Sequence, residues 1–155
     1  MDSKPPRLVH RNLPLLFMQA RESVFTRFRP ILNAVGITEQ QWRVVRALLD
    51  HGPLEQRRLG AVCHLSNPSL AGILSRMEQL GYVARERLDH DQRRVKVSAT
   101  AQGKALAAQL APTIEATYSA LQDELGLEFV DRLYATLDEV VAKLGPASDD
   151  EEAGA

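Results

Sequence analysis

The sequence predicts a mainly helical chain with one small β-hairpin, and three observations predict it. Apolar residues recur at three- and four-residue steps from residue 12 onward and again from residue 100 to 145, as amphipathic helices require. Tyr82 to Leu88 and Val95 to Ser98 alternate with period two around the polar stretch Asp89 to Arg94, as two strands and a turn do. Third, Leu59 to Leu74 reads as two short helices joined by a tight turn, a helix-turn-helix pattern.

In chain order, Met1 to Arg11 carries two prolines and three basic residues with little periodicity, so residues 1–11 read as a mobile arm. From Asn12 one helix is expected to near Asn33, with Leu13, Phe17, Ala20, Val24, Phe28 and Ile31 on one face, ending before Gly36. Thr38 then caps a second helix through Trp42, Val45, Leu48 and Leu49 to a stop at Gly52-Pro53. Glu55 opens the next helix without a good capping residue. In it Leu59 and Val62 or Cys63 line one face, Gly60 permits close approach of its neighbour, and Leu65 plugs the corner. Ser66 caps a helix from about Asn67 to Leu80, with Pro68 in its first turn, Leu70, Ile73, Leu74 and Met77 as its buried stripe, and Gly81 at its end. After the hairpin, Thr100 caps a long helix with the stripe Leu106, Leu110, Ile114, Thr117, Leu121 and Leu125, which Pro112 is expected to kink. Gly126 breaks the pattern, Phe129 to Leu144 form a final helix, and 146–155 read as a disordered acidic tail.

The polar face of the helix beginning at Asn67 carries Asn67, Ser69, Gly72, Ser75, Arg76 and Gln79. Small residues between hydrogen-bonding groups suit a helix pressed into a DNA major groove, where bulky apolar side chains would hold it away from the base edges. A solvated amphipathic face is the bland alternative. The hairpin shifts the balance, because Arg93 and Arg94 at its end can reach the flanking minor groove, whose negative potential attracts guanidinium groups. Asp91, two residues earlier, is placed to hold Arg93 by a carboxylate–guanidinium pair. Charge agrees: the whole chain is −1, but residues 53–98 hold eight basic and five acidic residues, net +3, whereas residues 105–155 hold two and eleven, net −9. A polyanion would approach the middle of the chain.

Here the chain resembles the MarR family of winged helix-turn-helix transcriptional regulators. The resemblance rests on the helix-turn-helix, on Arg76 to Val83 leading into the hairpin, and on Asp91-Gln92-Arg93 followed by Thr100-Ala101-Gln102-Gly103, and it covers roughly Asn12 to Leu144. More narrowly, Leu16 to Glu22, Phe28 to Leu32, Thr38 to Arg43 and Pro68 to Leu74 look like the HpaR-type repressors of homoprotocatechuate degradation. Ala99 departs from the family's usual Leu, and His64 stands in a turn position usually held by Gly. The first helix and the last two hold more apolar surface than one winged-helix unit can cover. Residues 12–36 and 100–145 are therefore expected to form a two-fold dimer around winged domains at 37–99. Such a dimer would bind a pseudo-palindromic operator in double-stranded DNA.

Arg21 falls within the apolar face of the first helix, between Phe17 and Val24. A charge there needs a partner. One partner is an acidic residue of the last helices within the dimer. The other is a ligand carboxylate, with Phe17 and Trp42 against its ring and Arg46 as a further ligand-binding candidate; the resemblance implies a phenolic acid such as 4-hydroxyphenylacetate.

With 155 residues and 45% hydrophobic content the chain suits a single globular domain with added helices. It has no signal-like N-terminus and no apolar run of ~20 residues, so a cytoplasmic location away from membranes is expected. Cys63 is the only cysteine, which excludes an intrachain disulfide. No phosphate-binding glycine loop, nucleophile elbow or metal-ligand spacing of the four histidines occurs, so neither a cofactor nor an enzyme is expected. A ligand-released dimeric repressor leads the functional readings. An architectural or protein-interaction dimer without an effector, and an enzyme using a buried histidine, are the alternatives.

Overall fold

The computed structural model describes residues 4–145. Its elements are α1 (Leu13–Phe25), α2 (Arg29–Ala34), α3 (Glu39–His51), β1 (Leu54–Glu55), α4 (Gln56–Cys63), α5 (Asn67–Gln79), β2 (Val83–Leu88), β3 (Asp91–Ala99), α6 (Ala101–Leu125) and α7 (Leu127–Leu144). Caps set most boundaries. Thr38 and Gln41 form a reciprocal box at the start of α3, with Thr38 Oγ1 accepting from Gln41 N–H at 3.1 Å and Gln41 Oε1 from Thr38 N–H at 3.0 Å. Ser66 and Thr100 each accept a backbone N–H three residues on, opening α5 and α6. His64 takes the left-handed conformation, φ 51° and ψ 54°, that the turn after α4 demands, and histidine tolerates it better than most residues.

Two buried clusters divide the core. One lies under the helix-turn-helix: Val44, Val45 and Leu48 of α3, Leu59 and Cys63 of α4, Leu70, Leu74 and Met77 of α5, and Val83 and Val97 of the sheet. Cys63, not the exposed Val62, faces inward on α4. The other joins Leu32 and Ile37 to Leu106, Leu110 and Ile114 of α6. Trp42 and Tyr82 pack against both. Among the described residues no helix is long and apolar enough to cross a membrane.

Three expectations are corrected. The first helix is not continuous to Asn33: it ends at Phe25 and restarts at Arg29. Pro30 has no N–H to offer the Thr26 carbonyl, so the chain tightens into turns instead, with Arg27 N–H on Val24 O and Phe28 N–H on Phe25 O. A third strand, β1, pairs antiparallel with β3 in the order β1-β3-β2; two residues carry no readable alternation. The hairpin turn is shorter than Asp89 to Arg94, since β3 begins at Asp91. Between the partners Arg87↔Val95 and Leu88↔Asp91, residues 92–94 of β3 have no opposite number on β2. Arg93 and Arg94 therefore sit on a bulge, which re-aims side chains from the ladder. α6 runs unbroken through Pro112, and the expected tail lies outside the described residues.

The end of α5 is clasped to the start of α6. Thr100 donates its hydroxyl to the Gly81 carbonyl at 2.5 Å and its N–H to the Tyr82 carbonyl at 3.1 Å. Gly103 lies so close that an added Cβ would overlap the Tyr82 carbonyl oxygen. Gly103→Ala should accordingly destabilise the fold by about 1–3 kcal/mol in urea denaturation; a change under ~0.5 kcal/mol would show that this clasp can relax.

Candidate nucleic-acid interface and adjoining cleft

α5 buries Leu70, Leu74 and Met77, which turns the opposite side outward. Asn67, Ser69, Gly72, Ser75 and Arg76 are all exposed there. Nothing lies within 4 Å of where a Gly72 Cβ would stand. Ser66 Oγ also donates to Ser69 Oγ at 2.9 Å, which ties Ser69 to the cap. Gly60 lets the two helices meet: a Cβ there would stand 3.1 Å from the Leu65 carbonyl oxygen and 3.4 Å from Leu70 Cδ2.

Beside the start of α5 a groove is lined by Gln56, Arg57, Asn67, Asp91, Arg93 and Arg94, which brings the hairpin arginines next to the first residue of the reading helix. Arg57 belongs to this groove although the sequence reading passed over it. Asp91 does not hold the Arg93 guanidinium; its Oδ1 accepts the Arg93 backbone N–H at 2.9 Å, fixing the bulge itself. Arg94 is paired across the sheet with Glu55 of β1. That hydrogen bond holds the Glu55 carboxyl below its usual range, and in return raises the Arg94 guanidinium. Arg85 of β2 similarly binds Glu78 of α5 at 3.3 Å and lowers its carboxyl, linking wing to helix.

Behind the helix-turn-helix a cleft of about 850 Å³ lies between α1, α3, α6 and α7. Phe17, Arg21, Trp42 and Arg46, the four ligand candidates, all line it. Its apolar surface includes Val24, Phe28, Leu133 and Leu137. Most of the charged groups sit on the α3 wall, where Arg46 bonds Asp50 at 3.0 Å and Glu39 pairs with Arg43, and Glu39 also pairs across to Arg21 of α1. The partner of Arg21 is thus an acidic residue of α3 rather than of the last helices, and its side chain is 53% exposed, not buried. The reason is that α1 buries no residue at all, so its apolar stripe faces the cleft. Arg21 also stacks over Phe25 at 5.6 Å from the ring centroid. Tyr118, at 4.8 Å from the Phe28 ring, has its phenol pushed up chiefly by burial. Glu39, Arg43 and Asp50 were missed although, with Arg46, they recur at four-, three- and four-residue steps and so share one face of α3; Tyr118 was missed because only packing brings α6 to the cleft.

A helix-turn-helix with a basic wing thus adjoins an apolar cleft edged with arginines, and similar chains are known. The chain is 39% identical over 124 residues to the HTH-type transcriptional regulator FarR of Neisseria gonorrhoeae, covering 80% of this chain and 85% of that one. It is 36% identical over 134 residues to the homoprotocatechuate degradative operon repressor of Escherichia coli, covering 86% and 90%. The sequence pattern of the MarR family matches residues 35–94. The chain belongs to the MarR family. The crystal structure of NadR in complex with 4-hydroxyphenylacetate superposes with a TM-score of 0.75 at 38% identity, over 88% of this chain and 97% of that one. The MarR-family match runs from Val35 to Arg94, through the helix-turn-helix and into β3, while the cleft draws also on helices to either side of it. As a member of this family the chain is a transcriptional regulator and not an enzyme.

The wing offers a direct check. Because the folded-state Glu55 carboxyl is lowered, its contribution to stability is present above the unfolded carboxylate pKa and is lost as pH falls through the folded value. In an NMR titration, Arg94→Ala should return Glu55 towards the ordinary carboxylate range. An unchanged Glu55 would mean that the pair does not persist in solution.

Proposed function

We propose that the protein is a homodimeric repressor of an aromatic-acid catabolic operon, released from a pseudo-palindromic operator by a small phenolic or aromatic carboxylate. The observation that carries this reading is the cleft: aromatic and apolar walls with Arg21 and Arg46 among them, reaching Val62 and Cys63 of α4 in the helix-turn-helix. Such a site suits a ring with one carboxylate, since a guanidinium can bind a carboxylate bidentately while Phe17 and Trp42 contact the ring. The relatives point the same way, one named a homoprotocatechuate degradative operon repressor and another solved with 4-hydroxyphenylacetate.

In this assembly residues 12–36 and 100–145 supply the dimer contacts and residues 37–99 the reading domain. Met18 on α1 and Leu127, Val141 and Leu144 on α7 are exposed apolar side chains outside the cleft that a second copy would cover. Asn67, Ser69, Gly72, Ser75 and Arg76 would meet the major groove, and Arg93 and Arg94, on the bulge fixed by Asp91, the minor groove and phosphates. The effector acts by fitting one spacing of the two reading heads better than the other, which shifts the population away from the DNA-binding form.

Selection of a duplex from a random library should return half-sites roughly 10 base pairs apart, bound with a steep salt dependence. Arg93→Ala should weaken binding to that duplex by about 1–3 kcal/mol with little loss of folding stability. Gly72→Ala should separate the two properties further. It stabilises an exposed helix by ~0.5–1 kcal/mol, yet places a methyl group against the base edges and lowers operator affinity. Binding indifferent to sequence would sink the regulator reading of this surface.

For the effector, 4-hydroxyphenylacetate should quench or shift the fluorescence of Trp42, the only tryptophan, and release the duplex. Arg46→Gln and Arg21→Gln should each weaken that binding by ~1.5–3 kcal/mol, the worth of a charged hydrogen bond. If no aromatic carboxylate perturbs Trp42 or releases DNA, the architectural-dimer reading replaces the effector.

A further inference from the structure

One side chain joins the charged wall of the cleft to the turn of the helix-turn-helix. The Arg43 guanidinium sends Nη2 to Glu39 Oε1 at 3.1 Å and Nη1 to the Cys63 carbonyl oxygen at 2.7 Å. Glu39 is held in turn by Arg21 of α1. Cys63 is the last residue of α4, where carbonyls have lost their helical partners, and its buried thiol donates back to the Arg43 carbonyl at 3.6 Å. The α3–α4 seam is thus pinned twice at one point. His64, Leu65 and Ser66 follow at once, and Leu65 N–H on Gly60 O and the Ser66 cap set the direction of α5.

We propose that Arg43 is a positioning residue through which occupancy of the cleft reaches the reading helix. A guanidinium is a rigid planar fork, so its two arms cannot move independently. An anion entering beside Arg21 competes with Glu39, Glu39 loses its fixed place, and the Arg43 fork turns away from the Cys63 carbonyl. The end of α4 then loses the bond that orients the turn, and the two reading heads lose the spacing that the operator requires. The same result follows without any ligand when Glu39 is neutralised. The inference rests on the effector-released repressor proposed above, but its core, the coupling of Glu39 through Arg43 to Cys63, can be read without effector or DNA.

The test is a double-mutant cycle on the full chain with Glu39→Gln, Arg43→Gln and both together. Cys63 is the only cysteine, is 1% exposed and lies at the floor of the cleft, so with the cleft empty its rate of reaction with a thiol-directed reagent reports opening of the seam. Each single variant should react at least about fivefold faster than the parent, with no further gain in the double variant and no matching loss in urea stability. Operator affinity, measured on the duplex selected by the parent, should fall about fivefold in each single variant and no further in the double. Arg43→Lys keeps the charge without the fork and should behave like Arg43→Gln, which covers the case where the glutamine variant does not fold. Parent-like Cys63 reactivity in Glu39→Gln, or full additivity in the double variant, overturns the coupling. If the cycle holds while 4-hydroxyphenylacetate leaves parental Cys63 reactivity unchanged, the coupling stands and the effector reading fails.

Discussion

The structure depends on α3 being a wall with two occupied sides. Val44, Val45 and Leu48 are in the core beneath the reading helices, while Trp42, Arg46 and Asp50 line the cleft. Trp42 contacts both buried clusters. Interiors are packed as densely as organic crystals and pass on displacement rather than absorbing it. α3 therefore joins the cleft to the core beneath α4 and α5, and in the proposed function this one short segment would serve both the recognition surface and its control.

Electrostatics reinforce that arrangement. Among the described residues, arginines around both candidate sites carry internal carboxylate partners: Arg94 with Glu55, Arg85 with Glu78, Arg46 with Asp50, and Arg21 and Arg43 sharing Glu39. Half-exposed ion pairs are worth little in water, typically 0–1 kcal/mol. Such partners hold a guanidinium in place without fixing it strongly, so in the proposed function a phosphate or a ligand carboxylate would displace them at small cost. What is lost is only the difference between two charged hydrogen bonds, and what remains is a side chain already aimed.

Local chemistry made much of this legible. Thr38, Ser66 and Thr100 act as caps because a hydroxyl at that position reaches an N–H three residues on whatever the tertiary context. The exposed face of α5 follows from the spacing of Leu70, Leu74 and Met77, and the family resemblance followed from the same stretch. What escaped detection depends on distance in sequence. β1 is two residues long and exists only because Val97 and Lys96 lie opposite. The bulge at 92–94 is a register property of two strands, invisible in either one. The break at residues 26–28 was within reach, since Pro30 cannot donate to Thr26, but the apolar stripe on either side of it masked the interruption. Arg21 was correctly flagged as a charge in an apolar stripe. Within one chain its partner is Glu39 of α3, and which helix faces α1 is a matter of packing and not of period.

α1 poses the last constraint. It is 13 residues long and buries none of them within this chain, and a helix of that length draws little stability from propensity alone. Its attachments are few: Phe25 at its end packs against the cluster of Leu32, Ile37 and α6, Arg21 pairs with Glu39, and, just beyond its end, Arg27 pairs with Glu124 of α6 at 2.9 Å. In the proposed dimer the side of α1 carrying Leu15 and Met18 would gain its apolar cover from the second copy, so one wall of the cleft would be only as firm as the dimer. Ligand affinity, subunit association and the spacing of the reading heads would then be facets of one equilibrium. In the proposed function an effector that closed α1 onto α3 would do so against the Arg21–Glu39 contact, the first link of the path proposed to run on to Arg43 and the α4 turn.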